Sequence, residues 1–301
     1  MGSNADVGAR QRMKVLVIGG DGMLGHELLA GLSASHEVAV TLRRDLAAYS
    51  HHGLFSPANS YAGVDVRDAG RVLEVVADYQ PQAIVNAAGI VKQRADAQRS
   101  IPSIEVNSLF PHRLAVIARA AGARLVHIST DCVFSGDRGG YRETDPPDPI
   151  DLYGRSKLLG EVDEEGCITL RTSMIGLELA NRLSLVEWAL AQQGPISGYR
   201  NVLYSGLTTP ELARAIDEIL VRHSSLHGIW HLASGPISKY DLLDGLFRRI
   251  GRDGDVRPED GVVSNRTMSG EAFEKATGYR VMGWDDMLDE LAERIRERDG
   301  A

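Results

Sequence analysis

The segment Val15-Leu16-Val17-Ile18-Gly19-Gly20-Asp21-Gly22-Met23-Leu24-Gly25 constrains this chain more than any other. An apolar, β-branched run ends in Gly19, Gly22 and Gly25, and a helical pattern with Leu28 and Leu29 on its apolar face follows at once. Glycines at this spacing allow a tight turn and close backbone approach to a pyrophosphate. The helix start adds free N–H groups and a partial positive charge. Gly19, Gly22 and Gly25, with Met23 and Leu24 opening the helix, are the expected cradle of a dinucleotide. The alternative is an ordinary glycine-rich turn, and the strand before it and helix after it weigh against that.

The same alternation continues along the first half. Strands are expected at Lys14–Ile18, Glu37–Leu42, Ala83–Asn86, Arg124–Ser129 and Ile168–Arg171, with amphipathic segments near Leu24–Leu32, Ala69–Tyr79, Val106–Ala121 and Leu152–Glu161 between them. Parallel strands joined by crossover helices follow from that pattern. The expected fold is α/β, a Rossmann-type doubly wound parallel sheet over residues 13–172, with a smaller C-terminal substrate-binding lobe over 173–301 from which the chain can re-enter the first domain. Residues 1–12 read as a disordered tail. Helical patterns in the lobe fall at Ser184–Gln192, Pro210–Arg222, Lys239–Ile250, Glu271–Ala276 and Asp285–Arg298.

Composition excludes several classes. A chain of 301 residues, 43% apolar, supports a sizeable core rather than a disordered ensemble. A net charge of −8 argues against a broad nucleic-acid surface. No apolar run reaches the roughly 20 residues needed to span a bilayer, and the opening residues lack the apolar segment of a secretory signal. The two cysteines, Cys132 and Cys167, have neither metal-ligand spacing nor disulfide density. A cytoplasmic protein without a metal centre is expected.

The end of the second strand bears on the cofactor. A carboxylate there bonds a ribose 2′-hydroxyl, whereas a guanidinium neutralises a 2′-phosphate. Arg43 stands where the strand should stop, so NADP(H) is favoured over NAD(H), with Asp45 as the competing acid. Asp65 and Val66 are placed to hold the adenine edge, and Ala87, Ala88 and Gly89 end a strand with small residues where a cofactor backbone must pass.

Tyr153 and Lys157 carry the chemistry. Residues four apart share a helix face, so the Lys157 ammonium is expected beside the Tyr153 phenol, favouring ionisation of a group whose ordinary pKa is about 10. Thr130 ends the preceding strand, where ligands of open α/β sheets bind, and its hydroxyl can donate to a carbonyl oxygen.

GGDGMLG, NAAGIV, HISTDCVFSG, DLYGRSKLLGE and TLRTSMIG, in this order, resemble the extended short-chain dehydrogenases, and among them the dTDP-4-dehydrorhamnose reductase family, over residues 13 to 176. That resemblance implies an NADPH-dependent reduction of a 4-keto group on a nucleotide-linked 6-deoxyhexose. It implies Thr130 orienting the keto oxygen, Tyr153 donating the proton, and Lys157 holding Tyr153 and the nicotinamide ribose. It also places Arg43 near the adenosine phosphate and makes Asn107 a supporting helix residue. Cys132 departs from the aromatic residue usual after the STD triplet, and AAGIVKQ after Asn86 differs as well.

Substrate contacts are expected from Thr130, Asp131, Cys132 and Tyr153. For a diphosphate the candidates are Lys92, Arg200, Lys239 and Arg266, of which Lys92 and Arg266 are the preferred pair. Two rivals stand beside reduction. One is an epimerase or dehydratase on the same scaffold, for which only Asp131 offers a carboxylate. The other is a non-catalytic NADP-binding regulatory subunit, as in the β-subunit of methionine adenosyltransferase. A homodimer is the default assembly.

Overall fold

The computed structural model describes residues 12–91, 98–180 and 182–300. Lys92 and the first eleven residues of the expected tail lie outside that set. The first half runs β1 (Lys14–Ile18), α1 (Met23–Leu32), β2 (Glu37–Thr41), β3 (Ser60–Tyr61), α2 (Ala69–Tyr79), β4 (Ala83–Asn86), α3 (Ser100–Ser103), α4 (Phe110–Ala120), β5 (Arg124–Ile128), α5 (Leu152–Leu158) and β6 (Cys167–Arg171). The second half runs β7 (Met174–Ile175), α6 (Leu185–Ala191), β8 (Ile196–Tyr199), β9 (Val202–Tyr204), β10 (Leu207–Thr208), α7 (Thr209–Arg222) and β11 (Gly228–His231). It closes with β12 (Ile237–Ser238), α8 (Lys239–Arg249), β13 (Val256–Glu259), β14 (Ser264–Asn265), α9 (Glu271–Thr277) and α10 (Trp284–Gly300).

Seven strands form one sheet in the order β11-β6-β5-β4-β1-β2-β3, and every neighbouring pair is parallel. The order reverses between β1 and β4, which is where an open α/β sheet leaves a crevice for a ligand. Register brings the strand ends level there: Ile18 pairs with Asn86, and Asn86 with His127. The glycine turn, the Ala87–Gly89 segment and the Ser129–Thr130 segment therefore open onto one edge.

Helices cover both faces. Val72, Val75, Val76 and Tyr79 recur at helical spacing, so α2 buries one face, together with Leu114 and Ala118 of α4, against Leu16, Ile84 and Leu125. On the other face Leu28 and Leu32 of α1 join Ile216 and Ile219 of α7 against Val15, Val17 and Val85. A separate core of Val186, Leu246, Phe247 and Leu291 holds the C-terminal lobe.

In the seven-stranded sheet, two strands go beyond the five expected. β3 has two residues, and β11 mixes Gly, Ile, Trp and His along the outer edge of β6. The helix expected over Val106–Ala121 also differs. It starts at Ser100 and widens into a π-helical stretch over Ile104–Leu109 before α4 begins. Pro111 in the first turn of α4 cannot donate to the preceding turn, which leaves the Asn107 carbonyl without its helical partner. Gly160 packs against that carbonyl, so close that a Cβ there would lie 1.9 Å from it. α5 ends at Leu158, short of the expected Glu161.

Gly25 has a similar packing role. A Cβ at this position would lie 2.0 Å from the Gly19 carbonyl and 2.7 Å from the Gly20 Cα, both backbone atoms of the turn itself. Gly25→Ala is expected to destabilise the protein by about 1–3 kcal/mol through overpacking, read as a lower midpoint of urea unfolding at unchanged slope.

Candidate active site

Two cavities share the crevice. The first, of about 300 Å³, is lined by Gly19, Gly22, Arg43, Asp65, Val66, Ala87, Ala88 and Gly89, together with Arg67 and Arg99. The second, of about 340 Å³, is lined by Gly22, Met23, Leu24, Ala87, Ala88, Gly89, Thr130, Asp131, Cys132, Tyr153 and Lys157, together with Tyr204 and Lys239 from the C-terminal lobe. Gly22 and Ala87–Gly89 line both, so they make one continuous groove. Gly25 lines neither; it supports the turn from behind.

The groove fits a dinucleotide. Gly19 has φ +88°, and a Cβ there would stand 3.1 Å from Ala88 backbone atoms, so the turn lies directly against the end of β4. Gly22 caps α1 without a side chain, which leaves the first N–H groups of the helix open to an anion. Arg43 lies in the wall of the first cavity, whereas Asp45 is exposed at the start of a 3₁₀ turn over Leu46–His52 and is no part of that wall. The Asp65 carboxylate is held by Arg67 and sits below the usual carboxylate range, through that hydrogen bond first. Arg67 and Arg99 escaped the sequence reading, although Arg67 stands only two residues after Asp65 in VDVRD.

At the other end, α5 is brought onto the end of β5. Asp151 caps the helix by accepting from the Gly154 N–H at 2.8 Å. A Cβ on Gly154 would fall 2.1 Å from the Cys132 carbonyl, so glycine permits the contact that sets Tyr153 beside Thr130. The Thr130 hydroxyl accepts from the Cys132 N–H and reaches Asp131 Oδ1, both at 3.2 Å. Asn107 supports the site from the π-helical stretch, accepting from the Ile90 N–H and donating to Ile90 O and Ser156 Oγ.

Lys157 and Tyr153 share the cavity, but the electrostatics differ from the sequence expectation. Burial pushes the Tyr153 phenol upward, Cys132, Asp131 and Asp151 add to the rise, and a hydrogen bond with Thr130 opposes it. The Lys157 ammonium donates to the Ile128 carbonyl at 2.6 Å; burial lowers its pKa to about 8, and Glu161 resists the fall. Tyr153 is thus stored as a protonated acid rather than pre-ionised. Burial also raises Asp131 and pushes Cys132 up to about 12, so the thiol is neutral.

Glu161 ties these pieces together. Its carboxylate accepts from Ser129 Oγ at 2.7 Å and from Arg171 Nε and Nη2 at 2.8 Å each, with both charged side chains buried.

Of the cations expected at a diphosphate, Arg266 is engaged elsewhere. It donates to the Phe134 carbonyl at 3.0 Å and the Ser135 carbonyl at 2.9 Å and lines neither cavity. Arg200 is exposed, beside Asp260. Lys239, named in sequence but not preferred, does line the second cavity. Among the described residues no group of three His, Cys, Asp or Glu could hold a metal ion, and no helix is long and apolar enough to cross a membrane.

A parallel sheet in this order, a glycine turn at its switch point, and Thr130, Tyr153 and Lys157 around one cavity define a Rossmann-type protein of the short-chain dehydrogenase architecture. The chain belongs to the RmlD substrate binding domain family, whose model matches residues 13–296. It is 32% identical to a dTDP-4-keto-6-deoxy-D-glucose reductase from Streptomyces niveus over 280 residues, covering 90% of this chain and 88% of that one. A methionine adenosyltransferase 2 subunit beta from Bos taurus is 32% identical over 152 residues, 49% of this chain and 41% of that one. A dTDP-4-dehydrorhamnose reductase from Bacillus anthracis, solved in complex with NADP, shares the fold with a TM-score of 0.74 at 22% identity, covering 94% of this chain and all of that one.

Glu161 supplies a test of the site's charge balance. The ε-carbon resonance of Lys157 should titrate with a midpoint near 8. In Glu161→Gln the midpoint should move lower, because the carboxylate favours the charged ammonium; an unmoved midpoint would detach Glu161 from the site.

Proposed function

We propose that the protein reduces the 4-keto group of a nucleotide-linked 6-deoxyhexose, using NADPH in preference to NADH. The observation that carries this reading is the single groove in which a dinucleotide-sized cradle runs into a cavity lined by Thr130, Tyr153 and Lys157. The Streptomyces niveus relative, matched across nearly the whole chain, is named for reduction of a dTDP-4-keto-6-deoxy sugar. The match to the methionine adenosyltransferase subunit covers half the chain, and the complete Thr, Tyr and Lys set favours turnover over a purely regulatory role.

Gly19–Leu24 and Ala87–Gly89 would hold a reduced nicotinamide nucleotide, which would supply the hydride for the carbonyl carbon. Thr130 donates to the carbonyl oxygen and fixes its direction. Tyr153, protonated because burial holds its phenol up, delivers its proton as negative charge grows on that oxygen. Lys157, anchored on Ile128 O and four residues along the same helix, keeps a positive charge near the resulting phenolate. Arg43 in the wall of the adenosine-end cavity, with Asp45 outside it, supports the preference for a 2′-phosphate.

NADPH oxidation against dTDP-, UDP- and GDP-linked 4-keto-6-deoxyhexoses tests the reading. At least one substrate should turn over, and Tyr153→Phe should lower kcat by about 100-fold or more. Tight NADPH binding with no turnover on any substrate would sink it. Arg43→Ala should raise the KM for NADPH by about tenfold while leaving that for NADH nearly unchanged, since a guanidinium–phosphate bond contributes on the order of 1.5–3 kcal/mol.

A further inference from the structure

Lys239 is the first residue of α8, an eleven-residue helix capped by Ser238. A cation in the first turn opposes the helix dipole, so helix stability does not account for it. Its ammonium lies 3.9 Å from the centre of the Tyr204 ring, in the wall that the C-terminal lobe contributes to the second cavity. Among the described residues it donates no hydrogen bond and has no carboxylate within 4.0 Å; Asp131 and Cys132 act on it only from farther away. Burial lowers its pKa to about 8, with Asp131 resisting the fall. A lysine placed there to neutralise Asp131 would close to ion-pair distance. This one rests on the Tyr204 ring in the cavity wall.

The other cations are accounted for. Lys157 is the only other Lys or Arg among the described residues lining this cavity, and it is tied to Ile128 O. Arg266 is tied to two loop carbonyls and Arg200 lies on the surface. A diphosphate is the part of the proposed substrate that requires a cation, because each buried phosphoryl charge must be paired or strongly hydrogen-bonded.

We infer that Lys239 receives the diphosphate of the nucleotide-sugar, with Tyr204 as the fixed platform that aims it. The inference rests on the reductase reading for the class of substrate. Lys239 is then a determinant of nucleotide-sugar affinity in the lobe, distinct from the Thr130, Tyr153 and Lys157 set that meets the sugar carbonyl.

The experiment is titration calorimetry of the full chain, saturated with NADP⁺, against dTDP, UDP and GDP in turn, repeated with Lys239→Met and Lys239→Arg. Wild-type protein should bind at least one of the three. Lys239→Met should weaken that binding by tenfold or more, Lys239→Arg should recover most of the loss, and NADPH affinity should stay within twofold in both, which verifies folding. Equal diphosphate binding by wild type and Lys239→Met, with turnover of a keto-sugar nucleotide by wild type, would overturn the inference and leave the reductase reading standing. Turnover by a wild-type protein that binds none of the three diphosphates would overturn it too, while absence of both binding and turnover would remove the two readings together.

Discussion

Glu161 stands just beyond the helix that carries Tyr153 and Lys157, and its carboxylate accepts from Ser129 at the end of β5 and from Nε and Nη2 of Arg171 at the end of β6. Two strand ends and one helix end thus meet at one buried ion pair. The Arg171 guanidinium also lies over the Phe134 ring, which stacks on Tyr141, so the loop after Thr130 is fixed from the same point. Loss of one partner of such a pair leaves an uncompensated buried charge at a cost of about 3–5 kcal/mol. The placement of the proposed catalytic residues and local stability therefore depend on the same contact.

Burial keeps Tyr153, the proposed proton donor, in its protonated form. Tyr153, Cys132 and Asp131 are all pushed toward their neutral forms, while Lys157 and Lys239 are pushed toward losing their protons. Each shift has desolvation as its first cause, so the arrangement as a whole resists charge until a charged or polarisable ligand enters. A developing oxyanion would then find donors that need no rearrangement of solvent. The buried Asn86 side chain meets His127 Nδ1 beneath this floor, and the imidazole is held well below its ordinary pKa by burial and by Lys157. It adds no charge to the site.

The central strands were legible because each is a short apolar run buried on both faces, and Ala69–Tyr79 was legible because its valines recur at helical spacing. The glycine turn and the Tyr153, Lys157 and Thr130 set were legible because their chemistry fixes residue type as well as spacing. β3 and β11 were not: their residues carry no alternation, and only the neighbouring strand makes them strands. Gly25 was read as part of the dinucleotide cradle because sequence shows the need for glycine but not which atom excludes a side chain; here it is the Gly19 carbonyl. Arg266 and Lys239 show the same limit. Both are cations near turns in sequence, and what separates them is that two carbonyls, 131 and 132 positions away, claim Arg266.

After β6 the chain builds part of the lobe, returns to lay α7 on α1 and β11 along β6, and then leaves again. The last helix binds both regions, through Arg294 to Glu27 of α1 and Arg298 to Glu187 of α6. A change of sugar preference by exchange of whole C-terminal halves between relatives would carry away the outer strand of the sheet along with the pocket. Diversification in this architecture must instead proceed by substitution within the excursions, such as residues 182–204 and 235–268, while residues 207–231 stay matched to the helices and strands they pack against. The interleaving of the chain thereby separates what can vary from what must be inherited as a block.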